Sequence, residues 1–196
     1  MGTPGCEDVE EFLTLATNAI LHARGVYNEA LFQRKRYRAI SVHVCVQEEL
    51  SAYIREAVQR CSAWILSGQL SKFVVAIKGR ASQRVLESYG FCLLPLDGAA
   101  SQDGDKLADE EALMKTLLRI ARLGDKLPPL PADLCFGIYY ATTSGAKGSA
   151  KLAECDAALV ELSAEGALGP QVYAIHNADF STIRLALQVT HRPDGF

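Results

Sequence analysis

The stretch "GVYNEALFQRKRY", Gly25 to Tyr37, sets the aromatic residues Tyr27, Phe32 and Tyr37 around an unbroken basic run, Arg34-Lys35-Arg36. Basic residues interleaved with aromatics can mark a nucleic-acid surface. The rest of the chain argues against it. The formal net charge is -3 and the pI about 5.8, so no overall field draws this protein to a polyanion. On an acidic protein, one basic run reads as a solvated surface. Direct nucleic-acid binding through Arg34–Arg36 is the rival reading, and a steep loss of binding with salt would mark it.

Working outward, Val9, Phe12, Leu13, Ala16, Ile20 and Ala23 recur at helical intervals between Glu7 and Arg24. This predicts an amphipathic helix that Gly25 ends. On the other side "AISVHVCV" alternates, with Ile40, Val42, Val44 and Val46 on one face and Ser41, His43 and Cys45 on the other. That is a strand with one buried face. Gln47 to Leu66 returns to helical period. Its stripe of Leu50, Tyr53, Ile54, Ala57, Val58, Cys61, Trp64 and Ile65 is wide enough for a central buried helix, closed by Gly68.

"KFVVAIK" is a continuous apolar run, as expected of a strand covered on both faces, and "RVLESYGFCLLPL" is its partner across a turn at Gly79–Ser82. Ala99 to Ala108 reads as a mobile loop. Helical period resumes at Leu113, Leu117, Ile120 and Ala121, and "PPLP" (128–131) breaks the chain before a strand, "LCFGIYYATT". Helix, strand, helix, two strands, helix, strand: this order predicts an α+β domain, helices on a mostly antiparallel sheet.

The last third is patterned differently. "SGAKGSAK" (144–151) is a polar connection, and "LAECDAALVELSAEGALG" has weak helical period without a convincing cap. Two strand-like pieces follow, "QVYAIH" and "IRLALQV". Such a tail on a well-patterned core suits a segment that changes partners.

No catalytic or metal signature emerges. His22, His43, His176 and His191 lack companions at ligand spacing, and no C-x-x-C occurs. "GAKGS" (145–149) fails the phosphate-loop pattern, and there is no G-x-S-x-G elbow. The acid pairs Glu10-Glu11 and Glu48-Glu49 are expected at helix starts, where they suit the helix dipole. Cysteines at 6, 45, 61, 92, 135 and 155 read as buried thiols in a reducing compartment. No apolar run approaches the ~20 residues of a membrane span. The expectation is a non-enzyme with no cofactor, no metal and no membrane or direct nucleic-acid partner.

From Val26 to Ile77 the chain resembles the HORMA-domain family, through "VYNEALFQRKRY", a strand, "EELSAYIREAV", Trp64 and "LSKFVVAIK"; "VLESYGF" and "IRLALQV" extend the likeness. Within the family, "FQRKRY" is most similar to the non-catalytic accessory subunit of DNA polymerase zeta, the mitotic-arrest-deficient 2-like branch. Trp64 with "LSKFVVAI" leans instead toward the spindle-checkpoint branch; a spindle-checkpoint or chromosome-axis adaptor is the alternative reading. The resemblance implies one HORMA domain over 1–196, with a core at 7–143, three main helices on a mostly antiparallel sheet, and a C-terminal safety belt at about 145–196. The belt would close over an extended peptide that adds a strand to the sheet.

The expected partner is then a peptide of the polymerase zeta catalytic subunit, trapped for translesion synthesis. A homo- or hetero-HORMA dimer and a AAA+ remodelling ATPase would be further partners. The location would be the nucleus, with the cytoplasm second. By the same likeness the stretch Gly25 to Tyr37 would be the turn leaving the first helix, with Phe32 and Tyr37 as packing anchors. Tyr53 would line the peptide groove, with Val160 and Leu162 in the belt beside it. Arg119 would serve dimerisation. Val172, Tyr173, Ile175, Ala186 and Gln188 would form an adaptor interface, although Ala186 and Gln188 depart from the family pattern.

Overall fold

Two glycines end the first two helices in the same way. Helix α1 (Pro4–Ala23) stops where Gly25 takes φ +61°, and α2 (Glu48–Leu66) where Gly68 takes φ +66°. In the first, Val26 N–H donates to Leu21 O and Gly25 N–H to His22 O; in the second, Gln69 N–H donates to Trp64 O and Gly68 N–H to Ile65 O. Both are Schellman caps, which need a left-handed residue that glycine adopts without steric cost. The computed structural model describes the backbone of residues 4–95, 106–143, 171–180 and 183–191, and side chains within 7–93, 110–143 and 186–191.

Between the helices a hairpin forms from β1 (Phe32–Tyr37) and β2 (Ile40–Cys45), paired antiparallel from Phe32↔Cys45 to Tyr37↔Ile40. The remaining elements are β3 (Leu70–Gly79), β4 (Val85–Pro95), α3 (Lys106–Ala121), β5 (Leu134–Thr142), β6 (Gln171–Phe180) and β7 (Ile183–His191). They build a five-stranded sheet in the order β5-β3-β4-β7-β6, antiparallel at every junction. Phe73 to Ile77 in β3 are all buried, as their unbroken apolar run requires. Helix α1 packs on α2 and α3, and Phe12 meets Phe91 of β4 edge-on at 5.9 Å.

Four expectations need correction. The stretch Gly25 to Tyr37 is not a turn throughout, since "FQRKRY" is strand β1; Phe32 and Tyr37 are buried and Arg34, Lys35 and Arg36 exposed, as expected of anchors around a solvated run. The central buried helix is α1, not α2. Its Thr17 and Asn18 are buried because Thr17 donates to Leu13 O at 2.7 Å, and Asn18 bonds both Thr14 O and the Cys45 N–H at 2.8 Å. Satisfied in this way, they disguise a helix buried nearly all round. On β2 the alternation fails at its end, where Cys45 is buried and Val46 is 54% exposed. Glu48 and Glu49 do occupy the first turn of α2, but α1 starts at Pro4, so Glu10 and Glu11 fall in later turns.

Cys45 and Cys61 are buried and Cys92 and Cys135 half-buried, none of these in a disulfide. The expected loop at Ala99–Ala108 lies outside the described residues up to 105, and α3 begins at Lys106.

Tyr37 gives the fold a pH signature. Burial, with the Glu11 carboxylate adding to it, pushes its hydroxyl up to about 12 from 10.0. The folded chain thus keeps a proton that the unfolded chain releases. That stability is complete below about pH 10 and lost as pH rises through about 12. Tyr37→Phe should flatten the alkaline limb of the stability curve. A slope remains from Tyr89, whose hydroxyl burial and Glu87 push well above the ordinary range. Urea midpoints measured from about pH 8 to 12 check this, and a variant that tracks wild type throughout would clear Tyr37 of the effect.

Candidate functional site

Strand β5 is an edge of the sheet that the described residues form. Among the described strands it pairs only with β3, so its other side presents backbone N–H and C=O groups in a row. The edge is held firmly in place. At its start Arg80 Nε donates to Asp133 Oδ1 and Arg80 Nη2 to Leu134 O, both at 2.8 Å. In its middle the Tyr140 hydroxyl donates to Ala57 O of α2 at 2.6 Å. Just past its end Thr143 N–H donates to Gln69 O at 2.9 Å.

An aromatic platform stands beside this edge. Phe136 of β5 takes Tyr53 edge-on at 5.5 Å and Tyr27 edge-on at 6.0 Å. Tyr27 and Phe136 are half-buried, while Tyr53 on α2 is 41% exposed. Trp64 packs on Tyr140 further along, at 6.0 Å. An extended segment joining β5 would find backbone partners along the edge and apolar ring surface beside it. Tyr53, the residue expected to line a peptide groove, is the exposed member of this platform. Tyr27 and Phe136 were not singled out as groove residues, because only tertiary packing brings the segment after α1 and the face of α2 onto β5.

The other expected positions fall elsewhere. Val160 and Leu162, like all of 144–170, lie outside the described residues. Arg119 is exposed near the end of α3, beside Leu118 at 42% exposure. Val172, Tyr173 and Ile175 belong to β6 and Ala186 and Gln188 to β7, so the five share one hairpin. Val172 pairs with Thr190 and Tyr173 with Val189, whereas Ile175 falls at the register shift between Ala174 and His176. Gln188 is exposed and Ala186 half-buried; the β6 side chains are not described. Among the described residues no group of three His, Cys, Asp or Glu side chains is placed to hold a metal.

A buried polar cluster escaped the sequence reading. Glu87 of β4 is fully buried and accepts Arg24 Nε on Oε2 at 2.9 Å and Arg24 Nη2 on Oε1 at 2.8 Å. The Tyr89 hydroxyl donates to Oε2 at 2.6 Å, and His191 Nδ1 lies 2.9 Å from Oε1. Arg24 also donates to Pro128 O at 2.6 Å. One signal was present: an acid inside the apolar strand "VLESYGF" needs a buried cation.

A family model described as HORMA domain matches residues 6–144. The mitotic spindle checkpoint protein MAD2 of Zea mays is 25% identical over 193 residues, 95% of this chain and 88% of its own. A chain from a crystal structure of the Mitotic Checkpoint Complex superposes with a TM-score of 0.81 at 20% identity, covering 97% of this chain and 99% of that one. C. elegans HTP-2, solved bound to a HIM-3 closure motif, gives 0.74 at 11% identity, over 95% of this chain and 89% of its own. These likenesses carry the fold: three helices on an antiparallel sheet in the HORMA arrangement.

DNA polymerase zeta subunit 2 of Drosophila melanogaster is 22% identical over 139 residues, 70% of each chain. The expected role as accessory subunit of polymerase zeta is therefore corrected, since the longer and more identical match is to a spindle-checkpoint protein. The physical reason lies in the residues that suggested it. Arg34, Lys35 and Arg36 are exposed, so little in the packing constrains them, and a likeness there weighs less than one running through the core.

Proposed function

This chain belongs to the HORMA-domain family, and from that premise we propose that it is a non-catalytic, peptide-clasping adaptor of the spindle-checkpoint kind. One observation carries the reading: the outer side of β5, anchored at both ends, with the Tyr53–Phe136 platform beside it. The occupant is an extended segment of another protein, added to β5 as a further strand. The belt, about 145–196, closes over it. Threading under a closed belt requires opening it, so association runs slower than the usual ~10⁵–10⁷ M⁻¹s⁻¹. HTP-2, of the same fold, is described as bound to a closure motif, which supports a peptide as ligand.

Capture of partners from mitotic cells on the full chain, followed by stopped-flow binding of the recovered segment, tests the reading. Spindle-checkpoint proteins and slow association are expected. Recovery of none, or association near the diffusion limit, would overturn it. Replacing Arg34, Lys35 and Arg36 with Ser should leave that binding within about threefold, because exposed charges contribute little to a strand interface. A sub-micromolar affinity for DNA that the same triple variant abolished would instead favour the basic run as a nucleic-acid site.

We place self-association at Arg119 of α3. Sedimentation across a concentration series should show Arg119→Ala weakening a dimer without unfolding the chain. A monomeric wild type, or an unchanged dimer in the variant, would remove that surface.

A further inference from the structure

Strand β7 meets β4 in an antiparallel register that sets His191 directly opposite Glu87, Val189 opposite Tyr89 and Leu187 opposite Phe91. Leu187 and Val189 are buried and supply the apolar part of this docking. Apolar burial alone does not define a register, because a slip of two residues returns the same face to the core. His191, 6% exposed, can meet Glu87 in one register only.

We propose that Arg24, Glu87 and Tyr89 form a receptor for His191 that latches the C-terminal hairpin β6–β7 onto β4, fixing its register and limiting how often it opens. This deepens the clasp reading and rests on it, since the hairpin is the described part of the proposed belt.

The receptor is complete before the hairpin arrives. A carboxylate offers about four acceptor sites. Arg24 fills two and Tyr89 a third, and both belong to the core, Arg24 just past the end of α1 and Tyr89 on β4 itself. Since the carboxylate faces the Arg24 guanidinium, it acts as an acceptor, and the fourth bond requires His191 to carry its proton on Nδ1. Departure of the hairpin therefore leaves Glu87 still paired with its cation, and no buried charge is orphaned. A lock whose removal stranded a charge would forbid opening. A single bond to a charged acceptor instead tunes it.

Hydrogen exchange on the full chain, without any partner, reads the latch directly. In His191→Ala the β7 amides should exchange at least tenfold faster than in wild type while β3 amides keep their rates. His191→Asn, whose amide N–H lies close to where Nδ1–H was, should restore most of the protection. Unchanged β7 exchange in the alanine variant would overturn the latch. So would an equal rise in β3 and β7, or failure of asparagine to rescue, since either marks a general packing role. No partner enters this measurement, so loss of the clasp reading through failed peptide capture would be seen separately.

Discussion

Replacing Glu87 with alanine is expected to lower the unfolding free energy by about 3–5 kcal/mol, because Arg24 would be left as an unpaired charge inside the protein. The Arg24 side chain is 3% exposed and the Glu87 side chain 0%, so water cannot take over the lost partner. At about 2–4 °C per kcal/mol for a chain of this size, the melting temperature should fall by roughly 10 °C. Tyr89 loses its acceptor as well, which adds to the loss. Urea unfolding with an unchanged slope would measure the difference as stability alone. Arg24→Ala should cost a similar amount from the opposite side, leaving the carboxylate with Tyr89 and His191. A loss below about 1 kcal/mol in both variants would show that the pair is not formed in solution.

The second large effect concerns binding. Tyr53→Ala should weaken capture of the partner segment about 30-fold, the factor that corresponds to a hot-spot loss of ~2 kcal/mol. Stability should move by only about 0.5 kcal/mol, because the ring is 41% exposed and packs perpendicular to Phe136. Most of the change should appear in the dissociation rate. Titration of the captured segment against both proteins, beside their urea midpoints, separates the two quantities. Equal affinities would show that the segment does not run past the β5–α2 platform.

Apart from strand β1, the order and type of the elements up to β5 were legible in the amino-acid pattern, because each rests on local chemistry. Gly25 and Gly68 end helices wherever those helices pack, since the caps need only a residue at ease with positive φ. The five-residue apolar core of β3, Phe73 to Ile77, demanded cover on both faces. Tyr53 stood out through a family likeness, and its position beside the outer side of β5 does not test the role expected of it.

What the pattern could not decide were relations between distant segments. The alternation of "AISVHVCV" promised a buried Val46, but the Asn18 side chain of α1 takes the Cys45 N–H and the buried position with it. Helix α2 looked central because its stripe is broad, whereas α1 is central because Thr17 and Asn18 find partners nearby. The polymerase likeness sat in "FQRKRY", where packing constrains Phe32 and Tyr37 but leaves Gln33 to Arg36 exposed. Most of all, Arg24, Glu87, Tyr89 and His191 are spread over 168 positions, from 24 to 191; the acid inside "VLESYGF" calls for a buried cation, but nothing local says which residues answer it. Local propensity sets what each segment becomes. Which strand is left as an edge, and which charges meet in the core, depends on how the sheet orders β5-β3-β4-β7-β6, and that only tertiary packing decides.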